Sequence, residues 1–158
     1  MIYYVLPSLV WLIFCIWRTL RTTRRLRLVH YTFALPLIAL SVLRGDVGTD
    51  TSTYIDNAQY IIWWGWHRPI NLEPGFIAFV RILSMFTSDP RVVVGMTSLL
   101  AAILFFVMLH MWEDGQCTLL LPLIPIYYFE FTMNGLRMGI AFPLMVIAVL
   151  LLHKKRYV

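Results

Sequence analysis

The chain has 158 residues, of which 60% are hydrophobic and only 13% charged, with a mean hydropathy of +0.76 and a formal net charge of +5. A soluble domain carries charge on about a quarter of its residues, so this composition is that of an integral membrane protein. The positive charge gives no nucleic-acid surface, because the basic residues stand in short blocks beside apolar runs and form no stripe interleaved with aromatics. Cys15 lies inside an apolar run and Cys117 in a short polar break, which leaves neither a disulfide framework nor a paired-cysteine metal site.

Five apolar segments approach the length of a membrane-crossing helix, near 2–17, 28–43, 92–112, 118–133 and 140–152. They define an all-α membrane protein of about five transmembrane helices, read as a single membrane domain over 1–158. The first segment has no basic residues before it and is followed by Arg18, Arg21, Arg24, Arg25 and Arg27, so it reads as a retained helix with its N-terminus outside. That orientation also places Lys154, Lys155 and Arg156 in the cytoplasm. Arg44, Arg68, Arg81, Arg91 and Arg137 are then left outside, against the topology signal, and need another reason to be there.

The outer loop, 44–91, is predicted to carry interfacial helices. Asp50 can cap a helix beginning at Thr51, with Tyr54, Ala58 and Ile61 or Ile62 on one face. Glu73-Pro74 starts a second helix, with Phe76, Phe79, Val80, Leu83 and Phe86 on one side and Arg81, Ser84 and Ser88 on the other, the pattern of a helix lying in the interface. Trp63, Trp64, Trp66 and His67 between them suit the headgroup zone. Asp89-Pro90 turns the chain back into the membrane.

Two short stretches carry the chemistry. Arg44 closes the second apolar segment, and Gly45 and Gly48 bracket a tight turn ending in Thr49 and Asp50. Glycines let backbone N–H groups approach an anion and arginine offers a planar fork to phosphate, so this turn reads as an anion site at the membrane surface. The alternative is that Arg44 snorkels to the headgroups and Asp50 only caps a helix. The Arg-Gly-Asp tripeptide at 44–46 abuts an apolar span and is not read as an adhesion motif.

Glu73 reads either as a helix cap or as a general base whose pKa is raised in a partly dry cleft. Arg137 stands with Asn134 and Gly135 in a turn too short to carry it far into water, so it either snorkels or faces a cavity. Glu130, within the aromatic group Tyr127, Tyr128, Phe129 and Phe131, is a candidate cavity-lining residue. His30, His67, His110 and His153 lack metal-site spacing, and no metal or cofactor is predicted.

Arg44 followed by Gly48-Thr49-Asp50 and Tyr54 resembles a signature of the EpsG-like proteins, polymerases of bacterial exopolysaccharide and O-antigen repeat units related to Wzy. Glu73-Pro74-Gly75-Phe76 is similar to the element that follows it there. Asn134-Gly135-Leu136-Arg137-Met138-Gly139-Ile140-Ala141 resembles the family's arginine element, with Gly135 and Met138 where glutamines are usual. Family members are longer, so the chain is expected to carry the N-terminal part of a larger architecture.

The resemblance implies a glycosyltransferase-type polysaccharide polymerase in the bacterial inner membrane, working on undecaprenyl-pyrophosphate-linked repeat units at the outer face. Its expected partners are that lipid-linked oligosaccharide, membrane lipid and other polysaccharide-assembly proteins. It implies catalytic roles for Asp50, Glu73, Arg44 and Arg137, and substrate binding by Gly48, Thr49, Tyr54, Asn134 and Trp63. Two other readings stand beside it: a truncated or non-catalytic protein that binds lipid-linked sugar, and a transporter of it. Charges at the outer ends of segments and the lack of a repeat favour transfer over transport.

Overall fold

The computed structural model describes residues 2–20, 32, 34–43, 48, 50–64, 72–111 and 128–156. Their regular structure is entirely helical: α1 (Ile2–Leu20), α2 (Leu35–Val42), α3 (Thr51–Trp64), α4 (Pro74–Ser84), α5 (Pro90–Met111), a π-helical turn (Glu130–Asn134) and α6 (Leu136–Arg156). Two of these, α5 and α6 as far as His153, are long and apolar enough to cross a bilayer.

Local chemistry sets the helix starts. The Tyr54 N–H donates to the Asp50 carbonyl at 3.0 Å, which puts Asp50 at the head of α3 as its sequence predicts. Glu73 stands just before α4 in extended backbone, and Pro74 supplies a pre-set φ at the first helical position. Asp89 Oδ1 accepts the Arg91 N–H at 2.9 Å, so α5 opens with a side-chain cap followed by proline.

α5 is the central helix, packed against α6 along one side and against α2 and α3 on others. Toward its C-terminal end Trp11, Phe14, Leu37, Phe105, Phe106 and Tyr128 form one apolar cluster. Toward its N-terminal end Val93 and Val94 join Tyr54, Ala58, Ile61, Val80 and Leu136 in a second. Buried hydroxyls tie the helices between these clusters: Ser98 Oγ donates to the Thr132 carbonyl at 3.2 Å, and Ser41 Oγ and the Tyr128 hydroxyl lie 2.8 Å apart. Gly95 lets α2 come close, since a Cβ there would stand 3.2 Å from the Val42 carbonyl oxygen.

Three expectations change. The last segment was expected from residue 140, but α6 begins at Leu136, directly after Gly135, whose carbonyl accepts the Gly139 N–H at 2.8 Å. Arg137 therefore belongs to the first turn of a membrane helix, where its charge had made the sequence read as a loop. The preceding segment closes as a π-turn, with the Gly135 N–H on the Glu130 carbonyl at 2.8 Å. Of the segments expected near 28–43 and 118–133, the described portions are residues 32 and 34–43, which include α2, and residues 128 onward; the rest lie outside the described residues.

The third change concerns α3 and α4. They pack on each other and on α5, with Ile61 and Val80 buried between them. Arg81 is not on an open polar face: its Nη1 donates to the Ile61 carbonyl at 3.0 Å, near the C-terminal end of α3. A cation that accepts no hydrogen bonds and satisfies a late helical carbonyl stabilises that helix end, which accounts for one of the basic residues the topology left unexplained.

Candidate functional site

The start of α6 reaches the N-terminal part of α5, where Leu136 packs in one cluster with Val93 and Val94. Ser98 bonds Thr132, and a Cβ placed on Gly139 would lie 3.4 Å from the Ala101 Cβ and run into the Phe131 carbonyl. The reversal between the π-turn and α6 thus lies beside the stretch of α5 from Val93 to Ala101, and Arg137 directly follows Leu136 there. Arg137 is partly exposed on the side of the bundle, and only the absence of a side chain at Gly139 lets the reversal fold so tightly.

At that level three distant segments meet. Arg137 Nη1 donates to both Glu73 oxygens, at 2.8 and 2.7 Å, across 64 residues of sequence. The guanidinium also engages the Tyr54 side chain, which is buried in α3 with its ring 6.1 Å from that of Phe76. Gly48 faces the π-turn: a Cβ on it would stand 3.5 Å from Asn134 Oδ1 and from the Met133 carbonyl oxygen. Asn134 is held in turn by Glu130, whose Oε2 accepts from Nδ2 at 3.0 Å. Glu130, a candidate lining residue from the sequence, thus orients Asn134.

Gly48 has φ +115°, a conformation that L side chains rarely adopt, and a Cβ would meet Thr51 Oγ1 at 2.7 Å. The turn into α3 is therefore built on a position that only glycine fills without strain.

Glu73 behaves differently from either sequence expectation. Its side chain makes no capping bond to α4, because both carboxylate oxygens are on Arg137. The hydrogen bond from Arg137 holds its carboxyl below the ordinary carboxylate range, the opposite of the raised pKa expected of a resident base. Exposure decides this: Glu73 is 65% and Arg137 40% accessible at the side chain, so desolvation is the weaker effect.

Beside this pair a groove of about 640 Å³ runs between α4, α5 and α6, lined by Phe76, Phe79, Leu100, Leu104, Ala141 and Leu144, among others, with Glu73 and Arg137 as the only charged residues lining it among the described residues.

Among the expected site residues, Gly48, Asp50, Tyr54, Glu73, Asn134 and Arg137 are gathered at or next to this level. Arg44 and Thr49 lie outside the described residues. Trp63 is 71% exposed near the far end of α3, nine residues from Tyr54 and on the order of 13 Å along the helix. Sequence reading missed the roles of Glu130 and Gly139. The Gly139 signal was present, a glycine one turn into an apolar helix, but its meaning depends on the carbonyl of Phe131.

The sequence pattern of the EpsG family matches residues 27–158. This chain belongs to the EpsG family. The matched region contains every element of the three-way junction, from Gly48 through Tyr54 and Glu73 to Arg137. Membership places the EpsG-family chain in a membrane and gives it, at a coarse level, a polysaccharide polymerase-like role involving lipid-linked polysaccharide. No curated protein and no solved structure matches the chain.

Proposed function

We propose that this chain polymerises undecaprenyl-pyrophosphate-linked oligosaccharide repeat units, in exopolysaccharide or O-antigen biosynthesis, at the outer face of the inner membrane. In this reading it crosses the membrane about five times as a single domain, with its N-terminus outside. The observation that carries the proposal is the convergence on Arg137 of the segments bearing Tyr54 and Glu73, beside the Gly48–Asn134 contact.

The reaction joins two lipid-linked glycans. A hydroxyl oxygen of the acceptor sugar attacks the anomeric carbon of the donor glycan and forms the glycosidic bond. The bond from that carbon to the pyrophosphate oxygen breaks, the carrier pyrophosphate leaves with the electron pair, and the hydroxyl proton passes to a carboxylate. Arg137, with Arg44, stabilises negative charge as it develops on the leaving group. Asp50, exposed at the start of α3, or Glu73 receives the proton. Gly48, Thr49 and Asn134 shape the sugar-phosphate seat, Tyr54 positions Arg137, and Trp63 contacts lipid headgroups or sugar away from the junction. Other polysaccharide-assembly proteins are its expected partners.

The test is complementation of a polymerase-null strain by this chain and by Arg44→Ala, Asp50→Ala and Arg137→Ala, with the glycan ladder as readout and membrane expression verified. A ladder from the unmodified chain and none from the variants is expected. A well-expressed chain that restores no polymer sinks the polymerase reading, and ladders of equal length from all variants sink the residue roles.

A further inference from the structure

Among the described residues, the groove between α4, α5 and α6 is lined by apolar side chains and is charged only where Glu73 and Arg137 stand. This is the polarity of a single-headed anionic amphiphile, with the cation at one end and the seat for a hydrocarbon leading away from it. We propose that the groove holds the first isoprene units of a polyprenyl phosphate or pyrophosphate, and that the lipid's terminal phosphate takes the place of Glu73 on Arg137. The inference rests on the polymerase reading for its choice of lipid and adds the seat and the exchange.

The ion pair argues for a phosphate that ends the lipid rather than bridges it. The Glu73 carboxylate already gives Arg137 one negative charge and two acceptor oxygens. A phosphodiester headgroup offers the same single charge and gains nothing by exchange. A terminal phosphate or pyrophosphate carries more than one negative charge and more oxygens, and displaces the carboxylate. Exchange is cheap because both partners are open to the groove, at 65% and 40% exposure. Once released, Glu73 stands just before α4, where it can swing to that helix's N-terminus.

Gly75 provides a clean probe. It lines the groove, and a Cβ added there meets nothing within 4 Å, so a side chain at this position occupies the groove and not the protein's own packing. The experiment measures retention of undecaprenyl phosphate by the full chain in phosphatidylethanolamine–phosphatidylglycerol nanodiscs, using native mass spectrometry. Gly75→Leu and Arg137→Ala are each expected to weaken retention about tenfold or more, the scale of one charge-assisted contact. Glu73→Gln, which removes the resident competitor's charge, is expected to tighten it several-fold. Retention unchanged by Gly75→Leu overturns the groove, and weaker retention in Glu73→Gln overturns the exchange. Equal retention of phosphatidylglycerol overturns the choice of a terminal phosphate. Because binding is read without polymer synthesis, a chain that retains the lipid but restores no glycan ladder sinks the polymerase reading alone.

Discussion

The Glu73 carboxylate takes only one nitrogen of Arg137, with both oxygens on Nη1. A guanidinium has donors on three nitrogens, so this grip, with Tyr54 on the same side chain, still leaves the fork partly presented to the groove. The geometry is that of a cation kept in place and ready, which makes its chemistry testable residue by residue.

Arg137→Lys is expected to be nearly as damaging as Arg137→Ala. A lysine keeps the charge but cannot hold Glu73 and Tyr54 while presenting a planar face, so polymer formation should fall about tenfold or more. Ladder intensity at matched expression measures this, and a lysine variant with normal ladders refutes a role for fork geometry.

Glu73 should titrate below the ordinary carboxylate range. Its folded pKa is depressed, so whatever stability the pair gives is present above the unfolded value and is lost as pH falls through the folded one. Carbon NMR of the labelled side chain in detergent follows this directly. Arg137→Met should return the titration toward the ordinary value; a carboxyl that titrates the same with and without Arg137 contradicts the pairing.

Gly48→Ala should cost about 1–3 kcal/mol, the usual range for forcing a side chain into a sparsely populated backbone region. The new Cβ also meets Thr51 Oγ1. Thermal unfolding should show a lower midpoint, and ladders should shorten because the turn facing Asn134 moves. A fully stable Gly48→Ala variant means the turn does not have φ +115°.

Ser41→Ala and Tyr128→Phe each remove one partner of a buried hydroxyl pair that links α2 to the segment before the π-turn. Ser41→Ala takes a buried partner from the Tyr128 hydroxyl and should cost about 1–3 kcal/mol, Tyr128→Phe should cost less because Ser41 Oγ keeps its bond to the Ile38 carbonyl, and the double change should cost clearly less than the sum. Additive costs in a double-mutant cycle argue against the contact.

Much of this is legible in the sequence. Asp50, Glu73-Pro74 and Asp89-Pro90 announce helix starts through cap and proline chemistry, which is local, and the structure has helices at all three. The apolar face Tyr54, Ala58, Ile61 was legible from periodicity and is buried. What was not legible is tertiary. Arg81 looks like a solvent residue until the Ile61 carbonyl is brought to it. Glu73 looks like a cap until Arg137 arrives from 64 residues away and outcompetes the helix end. Arg137 itself read as loop because charge is rare in membrane helices, and nothing local reveals that a groove receives it.

Pro143 is buried within α6 and has no N–H to offer the carbonyl of Gly139 four residues before it. The segment from Leu136 to Gly139, which carries Arg137, is thus joined to the rest of its helix with one rung of the ladder missing. Because Leu136 is buried and Gly139 is wedged against the Phe131 carbonyl, that first turn is the anchored part of α6, so the missing rung frees the course of the helix beyond it from the placement of Arg137.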